Sequence, residues 1–267
     1  MDLLGKVVVV TGGGNGIGQQ LVLALLRKDA LVAAADINLE ALEQTKIMAG
    51  SMANRLSLHQ TDISNRDSVS QLASDVLSKH GCVDAIINNA GVIHPFIPVS
   101  DLDYSAIDRV MNINLFGVIN MTKAFLPLLM TRPVAHIVNI SSMGGLFAFP
   151  KQTIYGASKA AVRLLSEGLY SELRRTNVGV TVVFPGAVKT NISRNSDSHP
   201  EALDKYEKHH PGISPEETAK RIVKAIEKKT FRLHIGADSK FLSFLYWLSP
   251  KLTTIFLAIV MEKAMAD

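Results

Sequence analysis

Short apolar runs alternate with longer segments of helical length through most of the chain. The runs are Val7 to Thr11, Leu31 to Asp36, Leu56 to Gln60, Val83 to Asn88, Ala135 to Ile140, Val178 to Phe184 and Arg232 to Ile235. Most are continuously apolar rather than alternating, the pattern of a strand covered on both faces. Between them lie segments such as Gly18 to Arg27, Ser64 to Lys79 and Ile154 to Arg174, which have helical length and spacing. Strand and helix in repeated succession predict right-handed crossovers and an α/β fold. Its expected form is a doubly wound parallel sheet of about seven strands with helices on both faces. In such sheets ligands sit beyond the carboxyl ends of the strands, so the residues just after each run are the candidates. No repeat or low-complexity linker divides residues 1–240, which read as a single domain.

Composition narrows the class. The 267 residues carry 28 Lys plus Arg against 24 Asp plus Glu, a balance of +4, with 47% hydrophobic and 19% charged positions. That much apolar surface excludes a disordered chain. The cations are scattered rather than clustered, which argues against nucleic acid as a partner. Cys82 is the only cysteine, so neither an intrachain disulfide nor a cysteine-based metal site is available, and the usage suits a cytoplasmic protein. The opening MDLLGKVVVV lacks the basic start of a signal peptide and runs straight into strand pattern.

Directly after the first run comes Thr11-Gly12-Gly13-Gly14-Asn15-Gly16-Ile17-Gly18, where a helix begins. Small residues let the backbone turn sharply and let a pyrophosphate approach the helix N-terminus, whose free N–H groups and dipole favour anions. The spacing is T-G-x-x-x-G-x-G, with Gly12, Gly16 and Gly18, not the GxGxxG of the usual dinucleotide fingerprint. A merely flexible turn is the bland alternative. The second run ends in Asp36, 18 residues beyond Gly18, where a carboxylate would accept hydrogen bonds from the adenosine ribose and repel a 2′-phosphate. Ile37 and Asn38 follow it, and Asn15 stands where a basic residue could meet that phosphate, so NAD is favoured over NADP. Asp36 could also cap the helix that follows.

Here the chain resembles the classical short-chain dehydrogenase/reductase family, in motif order over about the first 190 residues. The resemblance implies a Rossmann fold, a nicotinamide cofactor and a set of site residues. Asp62, with Ile63 beside it, matches the family's adenine-binding acid. Asn88-Asn89-Ala90-Gly91 matches the NNAG segment of the cofactor floor. Asn114 matches the helix asparagine of the catalytic tetrad, Ser142 its serine, and Tyr155 with Lys159 its YxxxK pair. Pro185-Gly186-Ala187-Val188-Lys189-Thr190 resembles the PG segment, whose Val188 and Thr190 would meet the nicotinamide carboxamide.

The residue types make independent chemical sense. Tyr155 and Lys159 are four apart on a helix and share a face. A phenol titrates near pH 10, and a nearby ammonium would lower it towards a working base. Tyr155 could then exchange a proton with an alcohol or ketone oxygen, with Ser142 bonding the same oxygen. The resemblance adds a ribose contact for Lys159 and support for a proton relay from Asn114. Ser141 competes with Ser142, since strand alternation lets only one face the site, and the 13-residue spacing to Tyr155 selects Ser142. His199, His209 and His210 form the only histidine cluster, in a polar stretch without ligand spacing, so no metal is expected.

From 191 to 212 the chain turns polar and irregular, and in the resembled family this segment covers the substrate. Candidate pocket walls are Val92, Ile93, Phe96, Gly144, Leu146, Phe147 and Phe149, and no Lys or Arg is evidently placed for a carboxylate. A secondary alcohol or ketone with an apolar body is the expected substrate. The tail 241–267 contains FLSFLYWLSPKLTTIFLAIVM, which Ser249-Pro250 divides into two short helices of about nine and 13 residues, with Ser249 as N-cap. Its apolar surface could meet a second subunit or the pocket, dock on a membrane with help from Lys228, Lys229, Lys240 and Lys251, or span one. A homodimer or homotetramer is expected, at the membrane periphery if the tail docks. Two rivals remain: a non-catalytic dinucleotide sensor and a membrane-recruited interaction protein.

Overall fold

The computed structural model describes residues 1–190, 192, 196 and 212–266, with backbone alone at 264–266. Seven strands form one parallel sheet in the order β3-β2-β1-β4-β5-β6-β7. They are β1 Val7–Thr11, β2 Leu31–Asp36, β3 Leu56–Gln60, β4 Ala85–Asn88, β5 Ala135–Ile140, β6 Val178–Pro185 and β7 Arg232–Ile235. Between β1 and β7 run α1 Gly16–Leu26, α2 Leu39–Ala49, α3 Arg66–His80, α4 Tyr104–Met111, α5 Gly117–Met130, α6 Thr153–Leu173 and α7 Pro215–Glu227. After β7 come α8 Ala237–Leu248 and α9 Pro250–Ala266. This is the doubly wound architecture that the run pattern predicts.

Strand alternation divides the core in two. Val8 and Val10 of β1 face a cluster with Leu21, Leu25, Ile222 and Ile226, from α1 and α7. Val7 and Val9 face the opposite cluster, with Met121, Phe125 and Leu129 of α5 and Leu169 and Leu173 of α6. Both faces of β1 are thus sealed, which is why its sequence is apolar without interruption. Chain order reverses between β1 and β4, so the crevice beyond those two strand ends is the place for a ligand.

Most expected boundaries hold within a residue or two. β4 begins at Ala85 because Asp84, 1% exposed, turns its carboxylate to Val7 N–H (3.0 Å) and Arg132 Nε (2.9 Å). Helix α8 starts at Ala237, so the junction between catalytic body and tail falls inside an element. Ser249 takes the N-cap place through its backbone, its carbonyl accepting from Thr253 N–H at 3.0 Å. The continuous helix Tyr104–Met130 has the length and apolarity to cross a membrane. Met121, Phe125 and Leu129 nevertheless lie in the core.

Candidate active site

The glycine loop is stitched to the end of β4. Thr11 Oγ1 accepts from the N–H groups of Asn89 (3.0 Å) and Ala90 (3.1 Å), and Asn89 Nδ2 donates to the Thr11 carbonyl at 3.0 Å. Gly12 and Gly16 take φ of +68° and +53°, where a side chain would be strained. A Cβ on Gly18 would run into the Gly12 carbonyl, so that position admits only glycine. Asn15 is the N-cap of α1, yet its side chain makes no capping bond. Asn38, Asn65 and Ser214 all cap their helices through side chains. The first-turn N–H groups of α1, from Gly16, Ile17 and Gly18, therefore stay available to an anion. The cradle fits a dinucleotide pyrophosphate.

Asp36 closes the other side of the loop, accepting from Gly14 N–H and Asn38 N–H at 3.0 Å each. It is not the helix cap: Asn38 Oδ1 holds Ala41 N–H at 3.0 Å and takes that role. Asp62 Oδ1 accepts from the Ser64 amide (2.9 Å) and hydroxyl (2.7 Å), while Ile63 is buried beneath Gly117. The segment after β6 returns to the loop, with Thr190 Cγ2 3.5 Å from where a Gly16 Cβ would stand. That segment is held from behind. Gly186 N–H donates to Ile235 O (2.7 Å), Ala187 N–H donates to Asp238 Oδ2 (2.8 Å), and Val188 bridges Ile213. Pro185 ends β6 itself.

Ser141 and Ser142 point apart. Ser141 Oγ is buried and donates to the Lys159 carbonyl at 2.7 Å. Ser142 Oγ accepts from Gly144 N–H at 3.0 Å and stands close enough to the Tyr155 hydroxyl to favour its charged form. Lys159 Nζ lies 5.9 Å from the centre of the Tyr155 ring and donates to Ile140 O at 3.0 Å. Asn114 sits in a π turn, Asn112–Phe116, that joins α4 to α5. Its carboxamide clamps Val92 through Oδ1 to the N–H (2.8 Å) and Nδ2 to the carbonyl (2.9 Å), and also reaches Ser158 Oγ. A Cβ on Gly91 would come within 3.1 Å of Lys159 Nζ and 3.2 Å of Asn114 Oδ1, so these three positions converge.

Burial works against the lowered phenol that spacing to Lys159 suggests. It pushes Tyr155 above its ordinary value, and the Ser142 hydroxyl only partly opposes this. Burial also pushes Lys159 down to about 8. Both groups share one dry pocket, where desolvation penalises the charged form of each.

Two polar residues near the site escaped sequence reasoning. Gln152 Nε2 donates to the His94 carbonyl at 2.7 Å, and His94 Nδ1 donates to Pro95 O at 2.7 Å. His94 Nε2 and Gln152 Oε1 are both buried without a protein partner. Their places, three residues after Gly91 and three before Tyr155, were the available signal. Phe147 and Phe149 rings lie 5.4 Å apart, and Tyr246 of α8 reaches Phe147 at 6.3 Å. Among the described residues no group of three or more His, Cys, Asp or Glu could hold a metal. His199, His209 and His210, like most of the 191–212 segment, lie outside the described residues.

This fold and loop define a Rossmann-type, nucleotide-binding oxidoreductase. A profile of the short chain dehydrogenase family matches residues 6–201, and the chain belongs to the short-chain dehydrogenase/reductase family. SadH of Mycobacterium tuberculosis is 36% identical over 243 residues, covering 88% of each chain. A Burkholderia phymatum short-chain dehydrogenase/reductase solved with NAD superposes with a TM-score of 0.86 at 27% identity, over 94% of this chain and 96% of the other. A Burkholderia cenocepacia short chain dehydrogenase solved with NADP gives 0.81 at 29% identity, over 96% and 99%.

Proposed function

We propose that the chain interconverts a secondary alcohol and a ketone with an apolar body, using NAD in preference to NADP. The observation that carries this reading is the convergence of Ser142, Tyr155, Lys159 and Asn114 beside the glycine loop. A bound nicotinamide would supply hydride acceptance and donation. Gly12, Asn15, Gly16, Ile17 and Gly18 would hold its pyrophosphate end, Asp36, Asp62 and Ile63 its adenosine. Asn89, Ala90, Gly91, Lys159, Pro185, Gly186, Val188 and Thr190 would hold the rest.

In ketone reduction the neutral Tyr155 phenol donates its proton to the carbonyl oxygen, which Ser142 Oγ orients. In alcohol oxidation the phenolate must receive that proton, and a protonated Lys159 one helix turn away favours it. Asn114 positions the wall of the site by clamping Val92, and through Ser158 it ties that wall to α6. The apolar walls Ile93 and Phe147, both buried, support a substrate with an apolar body. NAD is favoured because Asp36 ends β2 with no cation beside it, and relatives of this fold bind either cofactor. Exposed Tyr104, Phe116 and Leu164 on neighbouring helices support a homodimer or homotetramer. The single cysteine suits a cytoplasmic location.

The test is Tyr155→Phe assayed against a panel of alcohols and ketones with each cofactor, followed at the nicotinamide absorbance. Turnover should fall about 100-fold or more while cofactor affinity holds, as expected for loss of a general acid–base. Activity within about tenfold of the parent overturns the role of Tyr155. A parent that prefers NADP overturns the cofactor half.

A further inference from the structure

The hairpin of α8 and α9 is turned inside out. On α9 the side chains that reach the interior are Thr253 and Leu257, each 4% exposed. Leu252, Ile255, Phe256 and Ile259 stand at 66%, 47%, 50% and 48%. On α8, Phe244 and Trp247 are 56% and 76% exposed, their rings stacked at 6.2 Å. A helix on a water-soluble surface does the reverse, sending its apolar stripe inward. The inner face of α8 already has its partners, with Tyr246 on Phe147 and Ser239 Oγ on the Phe184 carbonyl. What these six side chains leave outside is on the order of 700 Å², taking roughly 200 Å² for each fully exposed large side chain. An ordinary monomer's largest apolar patch is about 300–600 Å².

We propose that this face docks on the surface of an anionic lipid bilayer, with Trp247 and Phe256 among the acyl chains. Charge selects the occupant. Lys240, Lys251 and Lys263 are exposed along the hairpin, and none has a carboxylate within 4.0 Å among the described residues. Glu262 is exposed, while Asp238 is engaged with Ala187 N–H. A second copy would bring three more cations to the same interface with little acid among the described residues of the hairpin to compensate. The chain's own segment 191–211 has only Ile192, Ala202, Leu203 and Tyr206 as apolar residues, too few to cover the face. Anionic headgroups pair the lysines and acyl chains receive the rings. The hairpin lies on the membrane rather than crossing it. The 12 residues of α8 extend about 18 Å against a hydrocarbon core of about 30 Å, and Pro250 breaks the run.

Flotation of the full-length protein with vesicles of phosphatidylcholine, alone or mixed with phosphatidylglycerol, tests this, with sedimentation velocity run in parallel. The chain should float with the anionic vesicles. Trp247→Glu and Phe256→Glu should each lower the bound fraction about tenfold or more, without altering sedimentation or thermal unfolding. Lys240→Gln and Lys251→Gln should each weaken binding roughly fivefold, and only to anionic vesicles. Failure to float with either vesicle overturns the proposal. So does a smaller sedimenting species in Trp247→Glu or Phe256→Glu, which would make the face a contact between copies.

Discussion

Helices α7 and α9 both begin on Ser followed by Pro, and they end in different environments. In α7, Ser214 Oγ caps Glu217 N–H at 3.1 Å, and Lys220–Glu216 and Arg221–Glu217 pairs line the outer face. Ala219, Ile222, Val223 and Ile226 are all buried, packed in the core cluster that includes α1. In α9 no acid stands in the first turn, Thr253 is buried, and isoleucines face outward. The same start signal therefore begins both helices. What differs is the angular placement of apolar residues relative to the sheet, and that decides whether the outer face meets water or something else.

The largest contrast should come from matched truncations. Ile222→Ala in α7 removes buried atoms and should cost about 2–5 kcal/mol, while Ile255→Ala in α9 should change stability by less than about 0.5 kcal/mol. Urea unfolding of the isolated protein measures both. Equal costs would mean that the outer face of α9 is covered in the free chain, and the contrast would break.

Acid should destabilise the fold through one buried group that is tied to the end of α7. His136 in β5 donates through Nε2 to Thr181 Oγ1 at 2.7 Å, and Thr181 donates to Thr230 O, just beyond α7. Burial, followed by the positive N-terminus and Lys229, holds His136 down to about 4. The unfolded chain binds this proton near pH 6.5, so between those values it carries more protons than the folded one. Stability should be constant with respect to this group above about pH 6.5 and fall by about 3 kcal/mol on acidification to pH 4. His136→Asn should flatten the profile over that window in denaturant titrations. An unchanged slope would assign the acid sensitivity elsewhere.

The smallest contrast lies in the caps. Ser214→Ala should cost about 1 kcal/mol, because it frees a first-turn N–H. Ser249→Ala should cost only a few tenths, because this serine caps through its carbonyl and not its hydroxyl. Thermal melts of the two variants measure the difference, and equal shifts would give Ser249 a side-chain role.

Much of this arrangement was legible in residue order. The strands fell where mostly apolar runs stand, because a parallel sheet covered on both faces buries both sides of its strands, and the polar exceptions in β5, His136 and Asn139, are paired with Thr181 and Ser166. The glycine spacing marked the loop, since φ above zero at Gly12 and Gly16 and the contact at Gly18 exclude side chains. Alternation along the strand required Ser141 and Ser142 to face apart, as their different partners show, and the spacing to Tyr155 made the choice of Ser142. His94 and Gln152 were not legible, being 58 positions apart and joined only when α6 packs against the loop after β4. The direction of the Tyr155 shift was hidden for a related reason: spacing reveals a neighbouring charge, but not the depth to which both groups are buried.

By itself, then, the order of residues determined the strand and helix succession and the glycine loop, because periodicity and backbone sterics act locally, while Asn114, Ser142, Tyr155 and Lys159 stood out through their resemblance to the family's motifs. Only tertiary structure decided which face of the final hairpin turns inward. Composition shows that α8 and α9 are apolar, but Thr253 lies inside and Phe256 outside because of how the hairpin seats behind β6, through Asp238, Ser239 and Tyr246. Burial is a property of what stands opposite a side chain, and that partner is set by contacts distant in sequence.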